Sequence, residues 1–173
     1  MYNLYFENGI SIKKYELTNR IRTNKNIASF VKNLMYIGKG GHNINYKDIS
    51  VTYFNNFSDL KNYISFLQEK DNWYAITYTT SRFTSEPLDK IGKIGDLNAH
   101  KVIGQEFEKV VFIMDDNFKY GNSGKLLHKT DNYYSPKGML YQIVTRAIEE
   151  LKIVVFNNEE LYYKILEIKN NSF

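Results

Sequence analysis

Cysteine is absent from the 173-residue chain, which excludes disulfides and any structural zinc site built on thiolates. No apolar run approaches the roughly 18 residues that suggest a membrane span, and no signal-peptide pattern opens the sequence. His42, His100 and His128 lie far apart and lack paired ligand spacing, so no metal site is expected. There is no Gly-x-Ser-x-Gly elbow and no cysteine nucleophile to carry hydrolase chemistry. Also missing is the loop Gly, four residues, Gly-Lys, then Ser or Thr, whose backbone amides cradle a nucleotide phosphate. Gly121-Asn-Ser-Gly-Lys125 approaches it, but its glycines have the wrong spacing and Leu126 stands where the hydroxyl residue belongs. No internal repeat or interdomain linker is visible. The expectation is one compact cytoplasmic domain with its own core and no membrane partner.

The hydrophobic fraction of 43% and charged fraction of 24% are ordinary for a globular chain. A net charge of +4 permits contact with phosphates and does not demand it. The 15 tyrosines and 11 phenylalanines exceed what one core usually needs. Exposed aromatics stack on single-stranded bases, although an AT-rich genome accounts for the excess equally well.

The opening residues 1–16 show no clear period and read as a leading segment. From Asn24, the positions Ile27, Ala28, Phe30, Val31, Leu34 and Met35 predict an amphipathic helix that stops before Gly38–Gly41. Ile49–Phe54 alternates as a strand, and Ser58 is expected to cap a helix over Asp59 to Gln68. Trp73–Thr79 and Glu108–Met114 read as further strands, the second apolar enough to be buried on both faces of a parallel sheet. Residues 117–137 read as a loop. A helix from about Pro136 to Glu150 then feeds the strand Lys152–Phe156, and Asn158 caps a last helix over Glu159 to Ile168. Strands alternating with helices predict an α/β fold: three layers, with a mostly parallel sheet flanked by helices.

Three segments carry chemistry. Leu17-Thr-Asn-Arg-Ile-Arg-Thr-Asn-Lys25 sets Arg22 just ahead of the first helix, where it reads alone as a solvated arginine at a helix N-terminus. Asn98-Ala-His-Lys-Val-Ile-Gly-Gln-Glu-Phe107 reads alone as a glycine turn feeding a buried strand. Leu140-Tyr-Gln-Ile-Val-Thr-Arg-Ala147 offers Arg146, which out of context is a surface arginine on an amphipathic helix. Between them, Thr79, Thr80, Ser81 and Arg82 end a predicted strand, where ligands of parallel sheets bind, although turn formation explains their types as well.

In this order, the three strings resemble motifs IV, V and VI of the second RecA-like motor domain of superfamily 1 helicases. Among these, they are most similar to bacterial ATP-binding proteins with a Schlafen-type helicase domain. The resemblance runs from about Leu17 to Leu166, so residues 17–173 are expected to form that domain. It implies a P-loop NTPase-like fold and catalytic roles for Arg22 and Arg146, whose permanently charged planar forks suit the charge spread over phosphoryl oxygens. Nucleotide contacts are implied for Gly104, Gln105, Glu106 and Thr145, with Glu106 accepting from a ribose hydroxyl. Contacts to single-stranded DNA or RNA are implied for Thr79, Thr80, Arg82, Asn98 and His100. Family members usually carry Thr where this chain has Asn98, although an amide can still donate to phosphate. ATP with Mg2+ would be held mainly by a partner N-terminal RecA-like domain, so the chain alone is expected to be inactive. Val110–Asp116 imitates an acid-tipped nucleotide-site strand, but its place after motif V makes Asp115 and Asp116 loop-forming residues. The alternative is a stand-alone module that binds single strands without ATPase activity.

Overall fold

Asn24 starts the first described helix: its side-chain oxygen accepts the Ile27 amide and caps helix α1 (Lys25–Met35). The computed structural model describes residues 23–80, 94, 97–129 and 134–173. The leading segment, most of the first motif including Arg22, and Ser81 and Arg82 lie outside them. After α1 come β1 (Ile49–Phe54), α2 (Phe57–Lys70), β2 (Tyr74–Thr77) and β3 (Leu97–Asn98). Then follow β4 (Phe107–Met114), β5 (Phe118–Tyr120), β6 (Leu126–His128), α3 (Pro136–Val144), β7 (Ala147–Phe156) and α4 (Glu159–Asn170).

Five strands form one parallel sheet in the order β1-β7-β4-β2-β3. β4 and β7 are its spine, in register from Lys109 opposite Glu150 to Met114 opposite Val155. Alternation along β4 sends Val110, Phe112 and Met114 into one core and Val111 and Ile113 into another, which explains the unbroken apolar run. The larger core joins this face to α1, α3 and α4 through residues such as Phe30, Leu34, Ile143 and Ile165. The smaller lies under α2, where Leu60, Ile64 and Leu67 meet Trp73, Ala75 and Val154. Helices on both faces of a parallel sheet give the three-layer α/β class expected of a RecA-like domain.

The Trp73 indole N–H donates to Asp71 at 2.6 Å, and the ring carries the Lys152 ammonium 4.7 Å from its centroid. Lys109 reaches both Asp71 (3.3 Å) and Glu150 (3.4 Å), tying the end of α2 to the sheet.

Four expectations need correction. Asn56, not Ser58, caps α2, because its side-chain oxygen accepts the amides of both Ser58 and Asp59. The second strand is shorter than Trp73–Thr79 and spans only Tyr74–Thr77. The stretch 117–137 contains the β5–β6 hairpin. Its turn is Gly121–Lys125, whose amides close on the turn itself (Gly121 N–H to the Lys125 carbonyl, 2.9 Å; Gly124 N–H to the Gly121 carbonyl, 2.8 Å). The hairpin fastens the end of α1: Ile37 N–H donates to the Gly124 carbonyl and Tyr120 Oη to the Leu34 carbonyl. Finally, α3 stops at Val144, and residues 147–151 belong to the longest strand of the described chain. Apolar positions at Ala147, Ile148 and Leu151 fit a helical period, yet pairing with β4 prevails over that local preference.

Asn158 caps α4 through the Leu161 amide while its NH2 group donates to the carbonyls of Asp115 and Phe118. Asn158→Ala should therefore destabilise the fold by about 2–3 kcal/mol, against about 1 kcal/mol for Asn56→Ala, which loses only a cap. Urea midpoints at unchanged m-value measure the difference.

Candidate functional site

Those residues singled out in the sequence that are described fall at two ends of the sheet, joined by a groove between α3 and the turn 99–105. At the C-terminal ends of β2 and β3, Asn98 organises the turn. Its Oδ1 accepts the amides of His100 (3.1 Å) and Lys101 (3.0 Å) and the hydroxyl of Thr79 (3.2 Å). His100 Nδ1 lies 2.6 Å from Thr79 Oγ1, and its exposed ring sits 4.5 Å from that of Tyr134. Thr80 is exposed beside this cluster. The Asn98 side chain is thus occupied with its own turn, as expected of Asx residues.

Gly104 ends the turn with φ +82, a left-handed conformation that L side chains resist. No heavy atom would crowd a Cβ there, so conformation alone calls for glycine. The exposed Gln105 and Glu106 then lead into β4.

At the N-terminal edge of the sheet, Arg146 is the second of the two residues between α3 and β7. It is not a surface residue of a helix, because only 6% of it is exposed. Its backbone carbonyl accepts the Phe107 amide at 2.9 Å. Its guanidinium donates to the carbonyls of Gln142 (3.1 Å) and Gln105 (3.3 Å) and to the Thr145 hydroxyl (3.4 Å). Thr145, the C-cap of α3, donates back to the Tyr141 carbonyl at 2.8 Å. Arg146, Thr145 and Gln105 are therefore brought together. The first motif approaches the same edge: Asn24 donates to the carbonyls of Ile148 and Glu149, a few residues from Arg146. Arg22 and Arg82 lie outside the described residues.

The groove between the two ends measures about 250 Å³ and is lined by one face of α3, from Tyr134 and Ser135 through Gly138 and Met139 to Gln142, opposite Ala99, His100 and Ile103. Tyr134 belongs to no motif and was not singled out in the sequence. Its signal was positional, since Ser135 caps α3 with Pro136 at the first turn and so projects the preceding residue beside the groove.

Asp115, at the C-terminal end of β4, is almost wholly buried and accepts both the amide and the side-chain NH2 of Asn117 (3.2 and 2.9 Å). It forms a turn, as expected, while Asp116 is exposed. Burial raises the Asp115 carboxyl above its ordinary value, and the bonds from Asn117 oppose that shift. Burial also pushes the Tyr78 phenol well up, helped by the charge of Asp115. Among the described residues, no group of His, Asp and Glu is placed to hold a metal, and no helix is long and apolar enough to cross a membrane.

No protein-family model matches the chain, and no curated protein matches it. Among solved structures, the C-terminal domain of a possible DNA helicase from Lactobacillus plantarum is similar at a TM-score of 0.45 and 18% identity, over 84% of this chain and 94% of that one.

The raised Asp115 pKa predicts a pH dependence with a definite sign. A carboxyl whose folded pKa exceeds its unfolded value stabilises the fold below the unfolded pKa and loses that contribution as pH rises through the folded value. Stability of the native chain relative to Asp115→Asn should therefore fall as pH climbs from the ordinary carboxylate value of 3.8 toward neutrality, measured by urea unfolding at each pH.

Proposed function

We propose that this chain is the C-terminal motor domain of a superfamily 1 helicase-type, nucleic-acid-dependent ATPase. In this reading it supplies Arg22 and Arg146 to ATP and Mg2+ held on a partner N-terminal RecA-like domain. The observation that carries the reading is the junction at Arg146. The strand leaving motif V and the strand leaving motif VI are hydrogen-bonded to each other there, and the arginine is braced by carbonyls from both segments. The stitch from Asn24 to Ile148 brings the chain just after Arg22 to that edge too. An edge that holds Arg146 and receives the chain following Arg22 suits a surface that closes on a polyphosphate held by another domain.

On closure, Arg146 reaches phosphoryl oxygens, which it binds more strongly than carbonyl oxygens. Glu106 and Gln105, exposed beside it, are assigned to the nucleotide. Thr79, Thr80, Asn98, His100 and Arg82 are assigned to single-stranded DNA or RNA crossing the opposite end of the sheet. Binding of nucleotide at one end and strand at the other is coupled through the short turn 99–105, which connects the two.

The second reading is a binding module for single strands without an ATP cycle. It is favoured by one observation, the near-complete burial of Arg146 on oxygens of its own chain, which gives this side chain a structural task whatever else it does.

The test mixes this chain with a domain carrying the phosphate-binding loop from its own protein or operon and compares native Arg146 with Arg146→Ala, at a temperature where both are folded. Strand-stimulated ATPase that appears only in the mixture and falls by roughly 10³ or more in the variant is the expected result. An inert mixture, or equal turnover by both chains, sinks the motor reading. Either way, the variant should lose about 2–4 kcal/mol of stability, since several hydrogen bonds from a buried charge disappear.

A further inference from the structure

We propose that a second groove, on the outer side of α1, binds linked phosphate groups through Lys25, Lys32 and Lys39. The groove encloses about 270 Å³ and is lined by Thr23, those lysines, Ala28, Ser29, Gly40, Gly41 and Ile44. Among the described residues that line it there are three lysines and no carboxylate. All three lysines are exposed, and the Lys39 ammonium lies 5.3 Å from the centroid of the Tyr36 ring.

The loop that brings Lys39 here is built, not incidental. Asn33 is completely buried, and its Oδ1 accepts the Gly40 amide at 2.6 Å while its NH2 donates to Tyr46 Oη at 3.0 Å. Ser29 Oγ accepts the Gly41 amide at 2.8 Å and shares a hydrogen bond with Tyr46 Oη. A Cβ at Gly40 would collide with the Ser29 carbonyl oxygen and the Asn33 side chain, so only glycine lets the loop lie this close to α1. A buried amide and a nearly buried phenol thus clamp a lysine-bearing loop against a lysine-bearing helix face.

One further feature suits an anion. The first turn of α1 contains no acidic residue to offset the positive end of its dipole and presents Lys25 instead. Lys25 and Lys32 are two helical turns apart, about 10 Å along the axis, with Lys39 across from them. That spread suits several phosphates joined in a chain better than one small oxyanion. Such a ligand is either a nucleic-acid backbone or a free polyphosphate.

This inference does not depend on the ATP cycle, and its assay is separate from the Arg146 comparison. Binding of a labelled oligothymidylate of about 20 nucleotides, and of inorganic tripolyphosphate, is measured across salt concentrations for three forms of the full chain. These are the native chain, the triple variant Lys25→Ala, Lys32→Ala, Lys39→Ala, and its charge-keeping counterpart with arginine at the same positions. If the strand is the ligand, the alanine variant binds it roughly tenfold or more weakly at low salt. Its log-log salt slope should also drop by about 2, and the arginine variant should restore both. If a free polyphosphate is the ligand, tripolyphosphate binding vanishes in the alanine variant and returns with arginine while strand binding is unaffected. The proposal is overturned if neither ligand responds to the loss of the three charges.

Discussion

The pairing of β4 with β7 is the constraint on which the rest depends. Both strands are buried on two faces over most of their length, so neither can slip by one residue without turning a row of apolar side chains into the wrong core. That fixed register determines where each strand begins. β4 starts where the turn carrying His100, Gly104 and Glu106 ends, and β7 starts directly after Arg146. Two motifs about forty residues apart in sequence meet because the strands they lead into are neighbours in one ladder.

Arg146 shows how a charged side chain tolerates such a place. Removing a guanidinium from water is unfavourable unless its N–H groups find acceptors, and the last turn of a helix has carbonyls with no helical partner. The side chain folds back on one of these, on the Thr145 hydroxyl, and on the Gln105 carbonyl of the adjoining turn. The same bonds that relieve burial hold the fork in one orientation.

The sequence made most of the scaffold legible because its apolar periods match the packing. α1, β1, β4 and α4 follow directly from residues such as Ile27, Phe30 and Leu34 on one face, or Val110 to Met114 on two. The end of α3 was hidden because Ala147, Ile148 and Leu151 satisfy a helical and an extended pattern alike, and only the neighbouring strand decides between them. The hairpin was hidden by short strands and turn-forming residues, whose stability comes from docking on α1 and not from their own propensities. At the site, the short strings around His100 and Arg146 were visible as patterns. The burial of Arg146 and the groove beside Tyr134 were not, since both arise from contacts between segments. The lysine groove was equally silent, because spaced lysines on a helix read as solvated charge until the buried Asn33 is seen to hold a loop against them.

The corner around Trp73 has an optical consequence. This is the only tryptophan of the chain, its ring is 5% exposed, and it lies beneath ammonium groups with its indole N–H on a carboxylate. It belongs to the α2 side of the sheet, whereas both grooves are on the side of α1 and α3. Its emission is therefore a native reporter of whether the sheet is intact, insulated by the thickness of the domain from whatever occupies the opposite face.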